Sequence, residues 1–367
     1  MRKLEKIVKK KYDIVIIDHV GSEWLEYCIP EECTYFTIKI RSTIPYIKSF
    51  SFLYNLFRVR GKEARLASIT LLSAIILELK PKVVITFIDN NSFMGVLQTL
   101  FPEILVVSVQ NGMRLNDPNF ESRGKYFSFP HYFGFGNHEF NMMKSKNASV
   151  KKYYSKGSLK MGAFLSHLYT PLVQSNNIKT ICLISQYKGL YSNSSDLSTT
   201  KFVSTLEKIC SFLSEFSQNN NVNISIAMRC EINSEAYEYE LKFYKDFFGS
   251  NAEYFANDRL NMSSYQLGMD AELIVGFHST LLFELFGVGK KVLFCGSAST
   301  ELSGGWNDQD QFKFLPNEVL LNQWSYEEFK EKAYALLEMS SRSFLDKTEE
   351  PKKHYMNFGD EYPHQII

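Results

Sequence analysis

Six short polar clusters stand directly after apolar, β-branched runs: Asp18-His19, Asp89-Asn90-Asn91, Gln110-Asn111-Gly112, Gln186-Tyr187-Lys188-Gly189, Arg229-Cys230-Glu231 and His278-Ser279-Thr280. In open α/β sheets ligands bind outside the carboxyl ends of the strands, so these are the positions where the chain can do chemistry. Singly, each also reads as a strand-end turn or a helix cap. Asp89, Asp18 and Glu231 are candidate bases for a hydroxyl proton, or candidate nucleophiles if a covalent intermediate forms. Asn90, Asn91, Gln110 and Asn111 with Arg114 supply the donors and acceptors that suit a hydroxyl-rich ligand. The competing reading makes Asp89 or Asn91 the cap of a helix, binding the amides of Ser92 to Gly95.

In the second half, a buried run delivers His278, Ser279 and Thr280 to a helix start, where unpaired N–H groups and the dipole favour phosphate. Ser279 or Thr280 capping that helix is the plainer alternative. Glu284, one turn further on, offers a carboxylate to ribose hydroxyls or to a surface ion pair. Arg229 is placed to fork a carboxylate or phosphate, or to make a salt bridge. Gln186, Lys188 and Gly189 form a loop suited to phosphates, or a simple turn. The DxD within Asn307 to Asp310 follows the last strand in a Gly-rich stretch and reads as a loop. His19, His131, His138 and His278 lack metal-ligand spacing, so no metal is expected.

The elements that must hold these clusters alternate strand and helix, the pattern of parallel sheets covered by helices. Strands are expected at residues 12–18, 34–40, 82–88, 104–109 and 132–136, and again at 178–185, 222–228, 253–256, 271–277 and 291–295. Helices are expected at 62–79, 92–100, 199–217, 234–248, 263–269, 279–286 and 326–338. The stretches 144–158 and 170–177 look irregular, and a boundary near the second gives domains 1–170 and 171–367. A length of 367 residues fits two such domains.

With 41 Lys plus Arg against 40 Asp plus Glu, the net charge of +1 gives no reason to expect a nucleic-acid partner. Six scattered cysteines without zinc spacing fit buried thiols in a reducing, cytoplasmic setting. The basic start, Met1 to Tyr12, reads as a solvated lead-in or as a contact with anionic lipid at the inner membrane face. Leu66 to Leu79 is too short for a membrane span and reads as a buried helix.

The run FHSTLLFELFGVGKKVLFCG resembles the donor segment of GT-B glycosyltransferases of bacterial surface-polysaccharide synthesis. TFIDNNSF, VVSVQNGMR, YFGFGNHEF and the tail segments SYEEFKEKAYALLEM and HYMNFGD resemble a surface carbohydrate biosynthesis group, over about Lys82 to Asp360. The resemblance implies a metal-independent GT-B enzyme: two Rossmann-like α/β domains facing a cleft, with C-terminal helices packing back. It implies acceptor and chemistry in the first domain, a nucleotide sugar in the second, and a glycan or glycolipid acceptor, with no further cofactor. Transferases that use CMP-linked Kdo or a related nonulosonate look nearest; there a His-Pro pair often follows the strand that here ends in Arg229-Cys230-Glu231. Rival readings are a sugar-nucleotide 2-epimerase of the same architecture and a non-catalytic binding partner in a polysaccharide assembly complex.

Overall fold

The structure, a computed structural model, describes residues 2–60, 67–114, 127–171, 179–187, 197–295 and 312–366. The chain forms two compact units, residues 1–163 with 358–367, and residues 164–357. This differs from a boundary at 170/171. The last ten residues return to the first unit, where Phe358 lies against Gly157, Tyr362 and His364 lie against Gly162, and Ile366 packs into an apolar cluster.

The strands of the first unit are β1 (Lys3–Ile7), β2 (Ile14–Ile17), β3 (Tyr35–Ile38), β4 (Thr43–Ile47), β5 (Val83–Thr86), β6 (Leu105–Val109), β7 (Ser128–Gly134) and β8 (Ser149–Ser155). Six make one all-parallel sheet in the order β3-β2-β5-β6-β7-β8. Alternate residues leave opposite faces of a strand, and both faces are covered. Val15, Ile17, Val84 and Val106 pack with Leu72, Ile75 and Leu79 of the helix Ala67–Leu79. Ile16, Ile85 and Val107 pack with Leu25 and Leu159 on the other side. That two-sided burial is why these strands are near-continuous apolar runs.

Two segments correct the sequence expectation. The lead-in is not simply solvated: Lys3–Ile7 pairs in parallel with Thr43–Ile47 and buries Ile7. Within 144–158, expected to be irregular, Ser149–Ser155 forms the edge strand of the sheet. Its exposed Lys151 and Lys152 interrupt the apolar run and suit an edge, where charge discourages further pairing.

The second unit holds β9 (Lys179–Ile184), β10 (Val222–Ala227), β11 (Ala252–Phe255), β12 (Leu273–Gly276) and β13 (Val292–Phe294), all parallel, in the order β11-β10-β9-β12-β13. Helices Leu197–Asn219, Tyr237–Phe248, Ser263–Asp270, Thr280–Gly287 and Tyr326–Glu338 follow the expected alternation. The helix Ser341–Tyr355 is additional, and carries Pro351 inside it. Each unit is a Rossmann-like α/β layer structure. The order reverses direction between β2 and β5 in the first unit and between β9 and β12 in the second, the switch points at which such sheets bind ligands.

Candidate functional site

At the first unit's switch point, β2 delivers Asp18 and β5 delivers Asp89. Both carboxylates are buried, at 4% and 0% exposure, and both are already engaged. Asp89 accepts from Arg114 Nε at 2.8 Å, from a second Arg114 nitrogen, and from the Tyr132 hydroxyl at 2.7 Å. The Asn111 amide adds a longer bond at 3.4 Å, and Asn111 Oδ1 also receives Arg114 at 2.7 Å. The forked guanidinium, the Tyr132 hydroxyl and the longer Asn111 contact together put two donors on each carboxylate oxygen. These partners occupy the carboxylate in the resting structure and tie it to Arg114 and Tyr132 instead of to the helix start. It is a buried anchor that fixes the Gln110 to Arg114 segment. The short Asx contact at this helix belongs to Asn91, whose Oδ1 accepts from the Phe93 amide at 3.3 Å.

Asp18 differs in detail and not in kind. Its carboxylate receives Arg41 Nε and, at 3.3 Å, the Val20 amide. His19 Nδ1 lies 3.3 Å from it without hydrogen-bonding geometry. The residue sits at φ 74°, in the left-handed region that Asp tolerates better than most side chains. Gly21 follows at φ 73°, and a Cβ there would meet the Phe87 ring at 2.6 Å, so only glycine fits this turn.

Gln110 was expected to hold a ligand. At 1% exposure it instead bridges two strand ends, its Oε1 accepting from the Phe135 amide at 2.8 Å and its Nε2 donating to the Gly112 carbonyl at 3.0 Å. Arg114 and Asn111 are committed to Asp89. Asn90 is half-buried at the same rim.

Sequence reasoning missed Glu139, which stands in the first turn of the helix Asn137–Ser145. It is fully buried, and neither carboxylate oxygen has a partner in hydrogen-bonding geometry. Burial pushes this carboxyl up to about 7, although the Gln110 side chain and the backbone amides of Glu139 and Arg114 draw it down, while Asp89 adds to the rise. Nearby, Tyr153 donates to the Gly136 carbonyl at 2.5 Å and stacks on Tyr132 at 5.7 Å. A buried acid that changes protonation near neutral pH suits proton transfer.

In the second unit, the switch point lies between the ends of β9 and β12. Gln186 follows β9 and is half-buried; Lys188 and Gly189 lie outside the described residues. His278 follows β12 at φ 50°, a strained conformation of the kind that collects at ligand sites. Ser279 occupies the N-cap position of Thr280–Gly287, is 9% exposed, and makes no cap hydrogen bond. The competing capping role is thus unfilled by its side chain. Glu284 is 1% exposed and accepts from the Tyr265 hydroxyl at 2.7 Å, so it is no surface ion pair.

Arg229 is exposed, and the contact of its side chain with the Tyr187 carbonyl, at 3.2 Å, engages one of its five donors. A second residue that sequence reasoning passed over holds this turn. Glu240, at 0% exposure, accepts from the backbone amides of Arg229 at 2.9 Å and Cys230 at 2.8 Å and from the Ser185 hydroxyl, to which Tyr244 also donates at 2.7 Å. One buried carboxylate thereby ties the end of β9 to the end of β10. Glu231, offered as a base, is instead a half-exposed partner of Arg259 at 2.9 Å, an ion pair of the weak surface kind. The DxD within Asn307 to Asp310 lies outside the described residues. Among the described residues no cluster of His, Cys, Asp or Glu could hold a metal ion.

A family model described as "putative O-antigen biosynthesis protein" matches residues 107–333, more than half of the chain. No curated protein matches it. Among solved structures, the chain is similar to a "putative UDP-N-acetylglucosamine 2-epimerase" from Listeria monocytogenes, with a TM-score of 0.57, 10% identity, and 97% of this chain and 94% of that one covered. It is equally similar to MnaA of S. aureus bound to UDP, with a TM-score of 0.57, 14% identity, and 98% and 94% covered. At these identities the likeness shows the fold, two Rossmann-like domains of the GT-B type.

Proposed function

The chain belongs to that O-antigen biosynthesis family, and from this premise we propose that it is a metal-independent glycosyltransferase which moves a sugar from a nucleotide donor onto a surface-polysaccharide or lipopolysaccharide acceptor. The observation that carries the donor half of this reading is Ser279. It is a nearly buried hydroxyl at a helix start, at the sheet's switch point, with no cap hydrogen bond. A phosphate placed there would meet N–H groups, the helix dipole and the Ser279 and Thr280 hydroxyls. The UDP bound in S. aureus MnaA supports a nucleotide ligand for this fold. Glu284 would meet the ribose. The Arg229 guanidinium, held at its root by Glu240, would fork the sugar carboxylate of a CMP-linked Kdo or nonulosonate, the donor class the sequence resembles. In the first unit, Asn90 would contact the acceptor while Glu139 carries the proton released from its hydroxyl.

A second reading, a sugar-nucleotide 2-epimerase, is favoured by the similarity to the Listeria structure. Both readings place a nucleotide at Ser279, and they part at the need for an acceptor.

The Ser279→Ala/Thr280→Ala double variant tests the shared part. Loss of hydrogen bonds to a charged group should weaken nucleotide binding by about 1 to 3 kcal/mol, roughly fivefold to over a hundredfold. Because Ser279 makes no cap bond, the fold should persist. Titration calorimetry with CMP and UDP reads the affinity, and unchanged affinity in a folded double variant would remove the nucleotide from this helix start.

A further inference from the structure

The helix Phe50–Arg60 has two faces of opposite character. One packs into the first unit: Phe52 and Val59 are buried, while Ser51 and Asn55 donate to Glu78 at 2.9 and 2.8 Å. The other presents Phe50, Leu53, Tyr54 and Phe57, which are 94%, 53%, 66% and 75% exposed. Their spacing of i, i+3, i+4 and i+7 makes one continuous stripe. Isolated exposed apolar residues need no explanation, whereas a stripe of this kind marks an interaction surface.

The exposed charges around the stripe are cationic, although Lys9 also pairs with the buried Glu78 at 2.7 Å. From Lys48 to Arg60 the sequence contains three cations and no acid. The lead-in adds Lys9, Lys10 and Lys11, all exposed, and it lies beside the helix start: Lys9 Nζ donates to Ser51 Oγ at 2.8 Å. Val8, at 68% exposure, extends the apolar surface on that side. A second copy docked on the stripe would bring the same cations to the same rim and be repelled. An anionic lipid surface would attract them while taking up the aromatic rings, the pairing of signals that holds an interfacial helix on a membrane. Among the described residues no helix is long and apolar enough to cross a membrane.

We propose that this stripe, with Val8 and the Lys9 to Lys11 rim, docks the first unit on an anionic membrane. The inference is independent of the reaction assigned above, because it can be read without substrate. Sedimentation of the full chain with phosphatidylcholine vesicles containing about one third phosphatidylglycerol should pull it down, and raised salt or omission of the anionic lipid should weaken binding. The Phe50→Ser/Phe57→Ser variant, altered only at exposed positions, should lose about tenfold or more in partitioning at an unchanged melting temperature. Lys10→Gln/Lys11→Gln should weaken binding to the anionic vesicles alone. No sedimentation with anionic vesicles, or equal sedimentation of the Phe variant, would overturn the proposal. So would a wild-type dimer that the Phe variant splits, since the stripe would then be a contact between copies.

Discussion

Asp89→Asn should destabilise the first unit by about 3 kcal/mol, because removing one partner of a buried ion pair strands the other charge. Asp89 is fully buried, and the Arg114 side chain is 15% exposed. Asparagine keeps the shape and one acceptor oxygen, yet cannot neutralise the guanidinium or accept its fork. Tyr132, which donates to the same carboxylate, loses its anionic acceptor in the same step. Hydrogen exchange at the amides of β5, β6 and β7 localises the effect, and Asp89→Asn combined with Arg114→Met should recover part of the loss. A variant of wild-type stability with a turnover loss of about a hundredfold would return Asp89 to the role of general base.

Glu139 sets the second large effect, on the dependence of stability on pH. Its carboxyl rises from an ordinary 4.5 to about 7 on folding. Between those values the folded chain holds a proton that the unfolded chain has released, so this group's contribution is intact below about 4.5 and is lost as pH rises to about 7. Above that it stays flat. The full loss is about 3 kcal/mol. Glu139→Gln is neutral throughout, and its melting temperature should fall less than that of the wild type between pH 5 and pH 8. Parallel curves for the two proteins would show that Glu139 does not titrate in this range. If Glu139 carries the reaction proton, Glu139→Gln should also abolish the neutral limb of the pH–rate profile.

Both sheets were legible because strands buried on two faces are written as runs such as IVII, VVIT and LIVG. The segments that escaped are those whose burial is partial. Lys3, Glu5 and Lys6 made β1 look solvated, and Lys151 and Lys152 interrupted the apolar run of β8. The polar clusters do stand at strand ends, but the work of each side chain there depends on partners far away in sequence. Nothing near Asp89 announces Arg114 or Tyr132. Glu240 had a signal: it shares a helical face with the buried Tyr244 and Phe248, a spacing that places a carboxylate in the core. Glu139 had none beyond its place in a first helical turn, where an acid ordinarily serves the dipole.

Transfer of a sugar to an acceptor can be read directly. Purified protein, in EDTA, should be incubated with CMP-linked and UDP-linked sugars, with and without a lipopolysaccharide core or polysaccharide fragment, and the released nucleotide and products resolved by mass spectrometry. A glycosyltransferase should release CMP or UDP only when the acceptor is present and leave an acceptor heavier by one sugar residue. Conversion of a UDP-sugar to its 2-epimer without acceptor, or an absolute need for added magnesium or manganese, would contradict the proposed transfer.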